Sequence, residues 1–414
     1  MTHSEQRPGR RAAATGGLAL VYGGGFVSYA DSAMTPVKLA AYVAVLAGLA
    51  VLVAGSGRLS RSRLVFIGVF CFGHAQATLA SMFAAGTVVG PVQVAQEMLY
   101  PVVLFVSALV LHRIRDVRHG PLRTLILALA AANFGAAALA SLGLLGSVPV
   151  FGDIVVGRAI FGTSLPSAAG LTFNVNYYAV SQGCFLMLYG LLAHLGGRWT
   201  ARDRVILAAL FLSTFWGSSR GVLLALAGAA AAMLLVNAVW GPPRRARIAR
   251  AVLCGLVAAV VIAFSVYYEQ IYDVFRLAKG LNRRDLIWSQ GVDLWLQRPV
   301  LGWGLDVEVA QRFAAGALPE GVSFHSGYLH TLVRGGVALF VFSFGFLILG
   351  VAWGLGFSGP RWCAYHWEVG VVVFYLINGA FRTYSLGGMG LLPALAVTAL
   401  STCLHARASG DVRC

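Results

Sequence analysis

The sequence predicts an all-α polytopic membrane protein of about 12 transmembrane helices, with a large, partly helical outer loop between spans 9 and 10. Three observations carry this reading. Of the 414 residues, 58% are hydrophobic and only 11% charged, whereas about a quarter of a soluble domain is charged. Windows of about 20 mainly apolar residues, enough to cross the hydrocarbon core, recur along nearly the whole chain, and their continuity excludes the alternating pattern of a β-barrel. The basic residues stand in short clusters between these windows.

In chain order the spans fall at about 12–30, 37–55, 64–86, 91–112, 121–145, 174–195, 204–217, 221–240, 249–268, 327–354, 365–384 and 386–405. Arg7, Arg10 and Arg11 precede the first, and no small-residue cleavage site follows it, so it reads as a retained span. The clusters at Arg58/Arg61/Arg63, Arg113/Arg115/Arg118/Arg123, Arg198/Arg202/Arg204, Arg244/Arg245/Arg247/Arg250, Arg361 and Arg407/Arg413 then fall on the same side as the N-terminal three, and together they hold 20 of the 31 basic residues. Positive charge resists translocation, so this side is cytoplasmic and both termini lie there. The net charge of +16 is accordingly a topology signal. Nucleic acid as a partner is excluded, because it calls for basic residues on one wet face interleaved with aromatics.

Three outer features remain: a loop at about 146–173, a tight turn at Gly217–Gly221 and a polar segment at about 269–326. That segment and the start of the next span hold seven of the fifteen acidic residues. In it Arg284, Trp288, Val292 and Trp295 recur at helical spacing behind a capping Asn282, Arg298-Pro299 ends the helix, and Gly302-Trp303-Gly304 reads as a turn. Residues 1–414 form a single domain that includes this cap at 269–326. The six cysteines (Cys71, Cys184, Cys254, Cys363, Cys403, Cys414) lie in spans or at cytoplasmic ends, which implies neither disulfides nor a CxxC metal site.

Of nine histidines, His325 alone sits at the outer boundary, with His330 one to two turns deeper. Imidazole suits proton abstraction near neutral pH, and equally suits a plain interfacial anchor. Arg220, between two spans, stands where charge is costly. Arg334 and Arg382 are intramembrane as well, Arg334 as a structural partner for Glu97. The forks of Arg283 and Arg284 suit phosphate oxygens, with a solvated basic face as the alternative. Asn174 and Asn176 open span 6, where an N-cap accounts for either. Asp306-Val307-Glu308 could hold a divalent cation, but no further ligands stand nearby, so no metal is expected.

Several of these pieces together resemble the O-antigen ligase/polymerase superfamily of bacterial inner-membrane glycosyltransferases. They are Phe173-Asn174-Val175-Asn176-Tyr177-Tyr178-Ala179, Ser218-Ser219-Arg220-Gly221, Arg284-Asp285-Leu286-Ile287-Trp288 followed by Arg298-Pro299 and Gly302-Trp303-Gly304, and His325-Ser326-Gly327-Tyr328-Leu329 with Arg334-Gly335-Gly336. Val175 and Ser326 depart from the family pattern, which has proline and asparagine there. The resemblance implies an inverting transfer of a glycan from an undecaprenyl-diphosphate carrier to an acceptor hydroxyl at the periplasmic face, with no metal or other cofactor. His325 would be the general base and Arg220 and Arg284 the diphosphate ligands. Arg158, Asn176, Arg283 and Tyr328 would shape the pocket. The acceptor would be lipid A–core for a ligase or a growing glycan for a polymerase, and membrane lipids would surround the protein. A lipid-linked sugar flippase is the reading from another class. Polar residues gathered at the outer edge count against it, and His74, Gln76, Gln93, Gln96 and Glu97 within spans 3 and 4 count for it.

Overall fold

The computed structural model describes residues 8–29, 35–56, 60–84, 91–148, 151–160, 164–172, 174–197, 199–274, 284–304, 324–356, 361–382, 386 and 388–409. The elements in order are α1 Pro8–Val27, α2 Thr35–Ala54, α3 Arg61–Ala84, α4 Pro91–Val110 with a 3-10 turn at Leu111–Arg115, α5 His119–Ser141, and four short strands, β1 Ser147–Val148, β2 Gly152–Asp153, β3 Val156–Ala159 and β4 Pro166–Ala168. There follow α6 Val175–Leu195, α7 Ala201–Trp216, α8 Arg220–Trp240, α9 Pro243–Val274, α10 Arg284–Gln297 and α11 Gly327–Phe340 with a π-helical turn at Val341–Gly345. The chain closes with α12 Phe346–Leu355, α13 Arg361–Ala364, α14 His366–Phe381 and α15 Leu391–Ser409.

It is an all-α membrane protein. Each predicted span overlaps a helix, and among the described residues seven stretches are long and apolar enough to cross a bilayer: Pro36–Ala54, Arg61–Phe83, Glu97–Arg115, His119–Ser141, Val175–Leu195, Arg220–Trp240 and Gly327–Leu355. His366–Phe381 and Leu391–Ala406 are apolar but shorter. The core gathers on α6 and α15, where Tyr178, Phe185, Leu188, Leu391, Leu395, Ala396 and Leu400 are fully buried. Outer helices instead expose large apolar side chains, among them Leu39, Val43, Val205, Leu212 and Ile262, as a lipid-facing surface requires. Small residues set the closest approach. A β-carbon on Gly48 of α2 would lie 2.5 Å from the Gly17 carbonyl of α1, so side chains there would force the pair apart.

The stretch at 146–173, expected as a plain loop, forms two antiparallel hairpins: β1 pairs β2 and β3 pairs β4. They cover a small core of Ala136, Ala137, Ala140, Ile154, Ala168 and Tyr178. Strands this short carry almost no periodic signal and exist because α5 and α6 supply the surface beneath them.

A second departure concerns 327–354, expected as one continuous span. Gly336 leaves helical geometry (φ 62°, ψ −165°), and the segment after α10 fills the break. Trp303 and Gly304 N–H donate to the Val333 and Arg334 carbonyls at 2.8 Å, and Val337 and Ala338 N–H donate to the Pro299 and Val300 carbonyls at 2.8 and 3.2 Å. Backbone groups freed by the break are thus satisfied again, as burial demands. Glycine is required at both contacts: a β-carbon on Gly302 would meet Arg334 backbone at 2.5 Å, and one on Gly336 would meet the Val300 carbonyl at 2.1 Å.

The bundle has two distinct ends. Helices α8 and α14 run antiparallel, with Trp240 stacked on Trp362 at 5.1 Å at one end and Gly221 against Phe381 at the other. The first end carries the basic clusters, and three of its arginines bind within the protein. Buried Arg63 donates to the Ala108 and Leu109 carbonyls at 2.9 and 2.8 Å and to Ser401 Oγ at 3.1 Å. Arg115 pairs with Glu368 at 3.1 Å and donates to Tyr365 Oη at 2.8 Å. Arg123 pairs with Asp203 at 3.3 Å and donates to the Leu192 carbonyl at 2.7 Å.

Candidate active site

At the opposite end, Gly221 of α8 and Arg284 of α10 meet the ring of Phe381, the last residue of α14. Arg220 is the first residue of α8. The turn before it holds buried Ser218 in the left-handed region (φ 47°), and Gly217 is tucked so closely against α6 that a β-carbon would lie 2.6 Å from Ala179. That turn fixes where α8 begins. Gly221 then rests on Phe381, where a β-carbon would stand 3.2 Å from the ring.

Arg284 opens α10, its guanidinium carbon 5.9 Å from the centre of the Phe381 ring, within cation–π range. One turn on, Trp288 donates from its indole N–H to the Phe324 carbonyl at 3.0 Å. Helix α10 lies directly on the start of α11, since a β-carbon on Gly291 would meet Leu329 at 2.4 Å. Ile287, Trp303, Phe324, Leu329 and Val333 form the core beneath, with Trp288, Leu294 and Trp295 against it. The buried face of α10 therefore runs through Ile287 and Gly291. The expected stripe included Val292, which is 39% exposed, because the helix is rotated to bring its glycine against α11.

His325 lies between two buried residues, Phe324 and Ser326, is itself exposed, and has left-handed backbone (φ 50°). Ser326 then caps α11, its Oγ accepting from Leu329 N–H at 3.3 Å. Among the described residues, His325 and Ser218 are the two non-glycine residues with positive φ. Such backbone costs of order 1 kcal/mol or more and persists where the surroundings hold it. Partial desolvation lowers the imidazole pKa below its ordinary value, and the charges of Arg284 and then Arg382 lower it further. The ring is thereby kept neutral, as a proton acceptor must be.

The structure thus puts His325 within electrostatic reach of Arg284 and of Arg382, which sequence reasoning left as a mere intramembrane charge, and places Arg220 next to the glycine that rests on Phe381. The one signal of Arg382 was that of Arg220, a costly charge at the outer end of an apolar run. Tyr328 is committed elsewhere: its hydroxyl donates to the Leu376 carbonyl of α14, and its ring packs edge-on against Phe344 at 4.6 Å. It joins α11 to α14 rather than shaping an open pocket. Asn174 takes the cap of α6, its Oδ1 accepting from Asn176 and Tyr177 N–H at 2.9 and 3.0 Å, which leaves Asn176 half-buried in the first turn. Arg158 lies on β3. Asn282, Arg283, Asp306 and Glu308 lie outside the described residues. Among the described ones, no three His, Cys, Asp or Glu side chains converge as a metal site requires. Arg334 pairs with Glu97, as the sequence indicated, and His74 Nδ1 stands 3.1 Å from Ser343 Oγ nearby.

Fold and site define a helical membrane protein with a histidine within electrostatic reach of two arginines at one end of the bundle. Residues 205–344 match the family model described as O-antigen ligase. That match supports the O-antigen ligase superfamily, whose members are glycosyltransferase-like ligases or polymerases. The match spans α7 to α11 and includes Arg220, Arg284, His325 and Arg334, whereas Arg158, Asn176 and Arg382 lie outside it. No curated protein matches the chain.

Proposed function

We propose that the protein is an inverting, metal-independent glycosyltransferase that moves a glycan from undecaprenyl diphosphate to an acceptor hydroxyl at the periplasmic face of the bacterial inner membrane. The reading is supported by Arg284 lying over Phe381 with its charge reaching His325, and by Arg220 standing next to Gly221 on the same ring, at the end of the bundle opposite the basic clusters. By the positive-inside rule the basic end is cytoplasmic, so the site faces outward.

His325 accepts the proton of the acceptor hydroxyl while that oxygen attacks the anomeric carbon. The bond from anomeric carbon to diphosphate oxygen breaks on the opposite face, inverting the centre. Charge that collects on the departing diphosphate is met by Arg220 and Arg284, whose guanidinium forks suit its oxygens. The proton on His325 then leaves to solvent or to the released diphosphate. Of the two activities in the superfamily we favour ligation to lipid A–core over polymerisation.

The test is reconstitution of the purified protein with a defined undecaprenyl-diphosphate glycan and candidate acceptors, followed by product analysis. New glycoside on lipid A–core is expected, with chelator present or absent. Extension of the carrier-linked glycan instead would make it a polymerase. Movement of the donor across vesicles without a new bond would replace the enzyme with a flippase.

A further inference from the structure

We propose that a groove between α1 and α5, at the basic end of the bundle, binds the phosphate headgroup of an anionic phospholipid. This does not rest on the glycosyltransferase reading. A cavity of about 590 Å³ lies there, lined by Arg11, Arg118 and Thr15 and otherwise by glycine, alanine and proline. Its volume is within the range of sites that hold small organic ligands. The two arginines come from different elements: Arg11 stands in the first turn of α1, and Arg118 is the residue from which α5 begins. Both are exposed, and among the described residues neither guanidinium has a hydrogen-bond or ion-pair partner. The neighbours of Arg118 in sequence are engaged by the protein. Arg113 donates to the Leu52 carbonyl at 3.4 Å, Arg115 pairs with Glu368 and Arg123 with Asp203. Asp116, two positions before Arg118, is exposed and forms no ion pair among the described residues. Arg118 also supplies no side-chain cap to α5, so the first N–H groups of that helix add positive potential at the same mouth.

Small residues keep the groove open. A β-carbon on Gly9 or Gly16 would meet no heavy atom within 4 Å, and Ala12, Gly16 and Leu20 stand four apart on one exposed face of α1. That face leads from the cations to the apolar side chain of Leu20, 41% exposed and roughly 13 Å along the helix from Arg11. Cation, small-residue groove and apolar strip match in order the phosphate, glycerol and acyl chain of a phospholipid. A soluble phosphate would use only the first of the three. A nucleotide or sugar would find few groups to bond, since the Thr15 hydroxyl already donates to the Arg11 carbonyl at 2.9 Å. By the positive-inside rule this end is cytoplasmic, the side on which basic pockets between helices meet anionic headgroups.

The experiment measures equilibrium binding of phosphatidylglycerol to the full-length protein in detergent, with phosphatidylcholine and glycerol phosphate as the zwitterionic and the soluble control. Phosphatidylglycerol is expected to bind about tenfold or more tighter than either, the scale of one charge-assisted contact. Arg11→Gln combined with Arg118→Gln should weaken it by about tenfold or more. Arg244→Gln combined with Arg245→Gln, two exposed arginines at the same end, should bind within twofold of wild type. Gly16→Leu keeps both charges and fills the groove, so it should weaken binding as the paired arginine variant does. Phosphatidylcholine or glycerol phosphate binding as tightly as phosphatidylglycerol overturns the proposal. An equal loss in the Arg244 and Arg245 variant overturns it in favour of diffuse surface charge. Wild-type affinity in either groove variant overturns it outright, and if the paired arginine variant does not fold, Gly16→Leu decides. Binding that appears only once residues 2–6 are removed overturns it as well and gives the groove to the N-terminal segment.

Discussion

The two ends of this bundle use the same side chain for opposite purposes. At the basic end Arg63, Arg115 and Arg123 are spent on the protein itself, capping the carbonyls where α4 and α6 run out and pairing with Glu368 and Asp203. At the other end Arg284 lies over a phenyl ring, its charge and that of Arg382 reach the His325 imidazole, and Arg220 follows the turn at Ser218 in the chain. Cations that stabilise a fold are spread out, each near an oxygen of the protein. Cations that serve a ligand face a cavity or a reactive group instead. Surroundings, more than residue type, therefore separate structural arginine from functional arginine.

The largest effect that could break this contrast is at His325. His325→Ala should reduce transfer by about a thousandfold, within the range for loss of a general base, with unchanged membrane insertion and at most a small loss of melting temperature, because the side chain is exposed and only the left-handed backbone is less favourable for alanine. Transfer retained in that variant would return His325 to the role of an interfacial anchor. Next come Arg220→Gln and Arg284→Gln, each expected to lower kcat by about a hundredfold, as loss of one preorganised donor to developing charge does.

A smaller effect concerns pH. A base whose pKa lies below the ordinary imidazole value of about 6.5 loses activity only as pH falls through that lowered pKa, so the acidic limb of kcat/KM should lie below about 6.5. Removing the charge of Arg284 raises the His325 pKa toward the ordinary value, and the limb should move to higher pH in Arg284→Gln. A limb that stays in place would uncouple the two residues.

Much of this was legible in the sequence, because the bilayer leaves a chain few choices. Apolar run length gave the helices, arginine clustering separated the ends, and Arg298-Pro299 and Gly302-Trp303-Gly304 stopped α10 and turned the chain where they should. The histidine at 325 and the costly arginine at 220 were visible as exceptions to burial rules. What was hidden depends on contacts between distant segments. The glycines at 302 and 336 read as a turn and a tolerated interruption, yet their shared purpose is to let one backbone lie in the break of another. Arg382 carries no local signal beyond its charge, and only the packing of α14 against α8 and α10 brings it to His325. Tyr328 lies two residues before His330 and three after His325, which invited a pocket role, but its hydroxyl is taken by a carbonyl of α14. The hairpins at 146–168 were invisible because their stability belongs to α5 and α6.

The smallest change in rate is expected where the contrast is sharpest, at the pair Arg115–Glu368. Glu368 is fully buried, one of its oxygens accepts from Arg115 at 3.1 Å, and among the described residues its other oxygen has no hydrogen-bond partner. Glu368→Gln keeps the shape and one acceptor but removes the negative charge, leaving a guanidinium whose remaining neighbours are the Tyr365 hydroxyl at 2.8 Å and the Tyr365 ring 4.1 Å beneath it. Breaking a buried ion pair from one side is destabilising. Here Tyr365 retains part of the interaction, and a chain partly unfolded within a bilayer also finds polar partners, so a loss of about 1–3 kcal/mol is expected. Thermal unfolding in detergent measures it. Transfer per folded molecule should stay within twofold of wild type, because the pair lies at the end of α14 opposite Arg382. A variant of Glu368 that melted like wild type yet transferred poorly would mean that the two ends are coupled through α14, and that Arg115 is not simply structural.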